Sequence, residues 1–268
     1  TFIVYKKMWV YNWNMIINSQ RERDILTKAT DISVNILKQV GENIKEGITP
    51  LELDNIAGEL CRKYKVKPNF KKVEGYHFNT CISVNDVAVH GIPNLIPLKK
   101  GDLISIDFGI IYKGLNTDHC WTWSVGKPNP KNKKLLNAGR MAVENCIPLA
   151  ITGNYTGDLG YEMEKTAKEN GFNILKMFVG HGIGKSMHEE PDIPAYGKKH
   201  TGTRLITGMV ICIECQVVDD DGKIKIDSDG WTARTSHGGR SVMFEYMVIV
   251  DNKYPTVLTN TLDWDYTA

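Results

Sequence analysis

The sequence predicts an α+β fold in which helices and antiparallel strands share one core, and three observations carry that expectation. Apolar residues first recur at helical spacing in two segments and then collect in short runs bounded by turn residues. The same order, helix, helix, strands, starts again near residue 130. No stretch rich in Gly, Pro or Ser separates the two rounds, which favours one continuous domain over two separable ones. With 42% hydrophobic and 24% charged residues among 268, the chain can bury a substantial core.

Residues 1–18 read as an N-terminal arm and 19–268 as a single domain. From Ser19 to about Ile44, Ile25, Ala29, Ile32, Ile36 and Val40 form the stripe of an amphipathic helix. Thr49-Pro50-Leu51-Glu52 is a capping box with Pro at the first helical position, and Leu53, Ile56, Ala57 and Leu60 give the next apolar face. Strands are expected at residues 80–84, 103–112 and 115–125, the last two joined through a Lys113-Gly114 hairpin turn. Past the turn at residues 127–130, Leu135, Ala138, Ala142 and Cys146 mark a helix, and Thr156 is expected to cap another carrying Leu159, Met163 and Ala167. Strands return at 174–179, 209–218, 223–226 and 241–250. The capping threonines Thr49 and Thr156 lie 107 residues apart, suggesting a duplicated unit with halves at about 19–126 and 130–250.

Composition excludes several function classes. Lys and Arg number 33 against 31 Asp and Glu, so the net charge of +2 lacks the basic excess of a nucleic-acid-binding surface, and no nucleic-acid partner is expected. Six cysteines at 61, 81, 120, 146, 212 and 215 are too sparse for a disulfide scaffold and predict reduced thiols in a cytoplasmic setting. The apolar stretch 8–17 is interrupted by Asn12 and Asn14 and is too short to span a membrane, so no membrane association is expected.

Chemistry shows first as carboxylates in apolar surroundings. Residues 103–111 hold one acid, Asp107; residues 209–218 hold only Glu214, and 242–250 only Glu245. Asp118 follows Asp107 by eleven residues, within reach across the hairpin. A buried carboxylate without a partner costs several kcal/mol or takes up a proton. None of the three runs contains Lys or Arg, so the compensating charge comes from elsewhere in the chain or from metal. Oxygen-rich ligation suits Mn, Fe, Co, Mg or Zn, and shared acids can hold two ions about 3.5–4 Å apart.

His181 and His188, in the glycine-rich run 180–191, are the natural completing ligands. Two decoys share this run. Gly184-Lys185-Ser186 resembles the tail of a phosphate-binding loop, but Val179 stands where its first glycine is required. His188-Glu189 begins like a zinc-protease helix, yet Asp192 replaces the second histidine. Cys212 and Cys215 have the spacing of a redox or zinc pair but lie within an apolar strand with no second pair nearby, so structural thiols are expected.

Taken together, His90-Gly91-Ile92-Pro93, Ile106-Asp107 with Asp118, Gly180-His181-Gly182-Ile183-Gly184 through His188-Glu189-x-Pro191, Ile213-Glu214, Gly230-Trp231 and Phe244-Glu245 resemble the type I methionine aminopeptidases. The resemblance runs from about residue 22 to 250. It implies the pita-bread fold, two pseudo-symmetric helix-and-strand halves around a central metal site. It further implies that Asp107, Asp118, His181, Glu214 and Glu245 bind two divalent ions, with Asp118 and Glu245 bridging. Type II members carry a large insertion between the last two ligands, whereas Glu214 and Glu245 are only 31 residues apart here.

By the same resemblance, Glu214 shuttles a proton, His188 donates to the developing oxyanion, and His90 contacts the scissile amide nitrogen. Tyr76, Phe78, Cys81, Met187 and Trp231, with His90 at the edge, frame a methionine pocket. The implied activity is removal of the initiator methionine from nascent chains and methionyl peptides when the next residue is small, by a monomer working near ribosomes. Three departures are visible. The loop 75–81 is about three residues shorter than usual, Met187 stands where an aromatic residue is common, and Cys215 replaces a proline. Two other readings compete: a proline-specific peptidase of the same fold, whose members usually carry an extra N-terminal domain, and a non-catalytic pita-bread binding protein, which usually lacks some of the five ligands.

Overall fold

A computed structural model describes residues 16–268. Of the expected N-terminal arm, residues 1–15 lie outside the described residues, while Ile16 bridges to Met209 and the Ile17 N–H donates to the Gly208 carbonyl. No helix among the described residues is long and apolar enough to cross a membrane.

Among the described residues four α-helices form where the spacing places them. Helix α1, Gln20–Gly41, is capped by the Ser19 hydroxyl, which accepts from the Glu22 N–H. Its buried stripe runs through Leu26, Ala29, Ser33, Ile36, Leu37 and Val40, so Leu26 and Leu37 carry packing that the expected stripe gave to the half-buried Ile25 and Ile32. Helix α2, Pro50–Tyr64, forms both bonds of the expected box: the Thr49 hydroxyl accepts from the Glu52 N–H, and the Glu52 carboxylate accepts from the Thr49 N–H. Helix α3 spans Pro130–Glu144 and α4 spans Thr156–Glu169. Thr156 does not cap α4. Tyr155 occupies the cap position and its N–H donates to the Asp158 carboxylate, while the Thr156 hydroxyl accepts from the Thr203 N–H.

The central sheet runs, in spatial order, Glu189–Pro194, Val179–Gly182, Val210–Val218, Ser241–Ile249, His119–Ser124, Leu103–Phe108 and Cys81–Val84, with every neighbouring pair antiparallel. The predicted strands 103–112 and 115–125 are each broken. Gly109 ends the first because its backbone lies against the Thr117 carbonyl, where an added Cβ would stand 2.0 Å from that oxygen. Thr117 and Asp118 leave the ladder in turn, between Leu115–Asn116 and His119–Ser124. The Lys113-Gly114 turn forms as expected, both residues having positive φ. The run expected at 174–179 likewise splits into Asn173–Ile174 and Val179–Gly182.

Side chains alternate across a strand with period two. Ile104, Ile106 and Phe108, Ile211, Ile213 and Val217, and Phe244, Tyr246 and Val248 face the large core, which also holds residues of all four helices. Asp107, Glu214 and Glu245 occupy the opposite face. Both faces are buried, so these strands read as continuous apolar runs with one interruption each.

The capping box yields a stability prediction. Thr49→Ala removes both bonds of the hydroxyl to Glu52, and urea unfolding should show a loss of about 1 kcal/mol with an unchanged m-value. A change within error would contradict the cap's contribution.

Candidate metal centre and active site

Register brings the acids together. Glu214 lies directly opposite Glu245, Glu245 opposite Cys120, Cys120 opposite Asp107, and Asp107 opposite Cys81, one row across five neighbouring strands. His181 joins from the next strand, opposite Cys212 and two residues along from Glu214. Asp118 enters from the chain that leaves the ladder, where the Thr117 carbonyl accepts from Asn69 and the Thr117 hydroxyl bonds to Ser33. Carboxylate oxygens of Asp107, Asp118 and Glu245 lie within 4.8 Å of one another, and so do candidate ligand atoms of Asp118, His181 and His188.

Like charges directly opposite in a sheet repel, and among the described residues no Lys or Arg lines the cavity into which these acids point. One oxygen each of Asp107, Asp118 and Glu245 is buried without a hydrogen-bond partner. In the metal-free fold, burial pushes Glu214 up to about 8 and Asp118 up to about 7. Burial, reinforced by neighbouring carboxylates, drives Asp107 and Glu245 well above the carboxylate range. Burial also lowers His181 and His90 to about 4 and His188 well below its usual value, so all three imidazoles are neutral. The Gly182 carbonyl lies 2.9 Å from His181 Nδ1, which fixes Nδ1–H as donor and leaves the Nε2 lone pair facing Glu214 Oε1 at 3.8 Å. Unpartnered oxygens, a neutral imidazole oriented for ligation and the lack of a local cation fit divalent metal.

The cavity measures about 350 Å³. Tyr76, Cys81, His90, Met187, His188 and Trp231 line it. Phe78 does not: its ring packs edge-on against Tyr76, centroids 5.8 Å apart. Sequence reasoning missed Phe70, Met177 and Phe178, which complete the apolar wall. Phe178 meets the His90 ring edge-on at 5.2 Å, and it lies in the segment expected to be continuous strand. His90 holds φ 56°, and Gly91 is required behind it, since a Cβ there would stand 2.2 Å from the Ile82 carbonyl.

The decoys resolve structurally. No helix follows Gly184-Lys185-Ser186, and His188-Glu189 leads into a strand. The carbonyls of Gly184 and Lys185 accept from the Asn116 side chain, which ties this loop to the segment that delivers Asp118. Cys212 and Cys215 point to opposite faces. Cys212 lies with His181 and Glu245, whereas Cys215 is in the large core, so the two thiols cannot act as a pair.

Comparison with known proteins agrees with this geometry. The model of metallopeptidase family M24 matches residues 24–252. The chain is 35% identical to the methionine aminopeptidase of Clostridium perfringens over 91% of its own length and 98% of that protein's. Its fold superposes on the crystal structure of a methionine aminopeptidase from Thermotoga maritima with a TM-score of 0.88 at 34% identity, covering 91% of this chain and 99% of the other. A prolidase from Pyrococcus furiosus is more distant, with a TM-score of 0.75 at 25% identity and 66% of that chain covered. The fold is therefore the pita-bread α+β arrangement, and the chain belongs to metallopeptidase family M24, on its methionine aminopeptidase side.

Proposed function

We propose that the protein removes N-terminal methionine from peptides and nascent chains with a small second residue, using two divalent ions held by Asp107, Asp118, His181, Glu214 and Glu245. The observation that carries this reading is the row of acids facing one another across neighbouring strands in a largely apolar cavity, with one buried oxygen each of Asp107, Asp118 and Glu245 left without a hydrogen-bond partner. When bound, divalent cations polarise the scissile carbonyl and bring the pKa of water toward neutrality.

The chain's own groups supply the rest. Gln216 Nε2 donates to Glu214 Oε2 at 3.0 Å, orienting a carboxyl whose position between acids and His181 suits it to hold and release a proton. The His188 ring lies 4.2 Å from that of His181, tilted by 60°, and, being neutral, can donate one N–H to a developing oxyanion. His90 lines the cavity and its Nδ1 is buried without a hydrogen-bond partner; from this position the imidazole would contact the scissile amide nitrogen. The methionine thioether would lie against Tyr76 and Trp231, whose rings pack edge-on at 5.1 Å, with Cys81 and Met187 alongside. A free α-amine, with a pKa of about 7.7–8.0, meets four acids there, which favours chain ends over internal bonds. The absence of a basic footprint fits a peptide substrate in the cytoplasm.

Three outcomes are expected. Metal-loaded protein hydrolyses Met-Ala-Ser in preference to Xaa-Pro dipeptides, and the opposite preference would reject the assignment. His181→Ala loses metal affinity in calorimetry together with activity, whereas His90→Ala keeps metal and loses kcat/KM by about 10²-fold or more; full activity in His90→Ala would refute its role.

The third concerns pH. Glu214 is raised from the usual 4.5 to about 8 in the metal-free fold, so its contribution to stability is present below pH 4.5 and is lost as pH rises through 8. Metal binds the deprotonated acids and works in the opposite direction. The increase in Tm on adding Mn²⁺ should therefore be larger at pH 8 than at pH 6, and an equal or smaller increase would contradict the ligand set.

A further inference from the structure

Asp54 stands apart from the acids just described. It lies on α2, is 3% exposed, and forms no ion pair with a Lys or Arg among the described residues. Its carboxylate instead collects donors from the loop that enters the Cys81–Val84 strand. Oδ1 accepts from the N–H of Asn79 at 2.8 Å, the N–H of Thr80 at 2.9 Å and the Thr80 hydroxyl at 2.8 Å. Oδ2 accepts from Asn79 Nδ2 at 2.8 Å, and the same amide donates to the Asp54 carbonyl at 3.0 Å.

One helical turn later, Gly58 leaves room for that amide: a Cβ there would stand 2.8 Å from Asn79 Nδ2. The held segment controls two cavity walls at once. The Thr80 carbonyl accepts from the Tyr76 hydroxyl at 2.7 Å, and the next residue, Cys81, lines the cavity opposite Asp107. Tyr76 in turn carries Trp231.

We propose that Asp54 and Gly58 form a cradle on α2 that fixes Tyr76 and Cys81 through Asn79–Thr80, making Asp54 a positioning residue that sets which N-terminal side chain the cavity accepts. Its effect runs through walls that touch the side chain of the substrate and not through the metal row. The proposal rests on the peptidase reading above.

Asp54→Asn is nearly isosteric but turns an acceptor into an NH₂ group that faces the Asn79 NH₂. Gly58→Ala disturbs the same amide by size alone, and because the atom it meets ends a flexible side chain, the fold tolerates the change. Both variants should raise KM for Met-Ala-Ser by about tenfold or more with kcat within about threefold, and should lower the preference for Met over Leu at the first position. Hydrogen exchange at residues 79 and 80 should quicken, while Mn²⁺ affinity by calorimetry stays at the wild-type value. Variants that melt earlier yet keep wild-type KM and Met/Leu preference would overturn the proposal and leave Asp54 a purely stabilising residue. Loss of metal affinity along with kcat would overturn it as well. A wild-type enzyme that leaves Met-Ala-Ser intact would reject the peptidase reading itself, and this proposal with it.

Discussion

Repulsion among carboxylates that a buried sheet sets side by side is the constraint on which the rest of the structure depends. Strand neighbours lie about 4.8 Å apart, and Glu214 faces Glu245 directly, with Asp107 two strands further along the same row. Such a row costs free energy in any state in which all members are charged and no cation is near. Among the described residues no lysine or arginine lines the cavity, and burial together with the neighbouring carboxylates pushes the pKa values of these acids upward.

The remaining architecture makes that cost bearable and useful. Alternate residues of the same strands, such as Ile213, Phe244 and Tyr246, bury the other face of the sheet against the helices, so the strands that carry the acids are also among the best packed in the molecule. Each fully buried side chain of this size contributes roughly 1.5–3 kcal/mol. Rigidity of the sheet then keeps the acids in register, while the chain outside the ladder brings Asp118, His90 and His188 to the same cavity from irregular segments.

Much of this was legible in the sequence, for local reasons. A lone acid in an apolar run is visible without coordinates, so Asp107, Glu214 and Glu245 stood out. The Thr49 box was visible because both of its bonds lie within four residues. What escaped depends on contacts between distant parts of the chain. Gly109 breaks its strand because of the Thr117 carbonyl, Thr156 yields the cap to Tyr155 while its hydroxyl accepts from Thr203, and Phe78 packs against Tyr76 without lining the cavity. Asp54 reads as an ordinary helical acid between Leu53 and Ile56; only the fold shows that Asn79 and Thr80 surround it. The apolar wall formed by Phe70, Met177 and Phe178 carries no motif at all.

Anomalous diffraction at the manganese edge, from crystals grown with Mn²⁺, tests the central claim most directly. The account predicts two strong peaks among Asp107, Asp118, His181, Glu214 and Glu245. A cavity with no anomalous signal, its acids protonated or bonded to one another under saturating Mn²⁺ at pH 8, would contradict it.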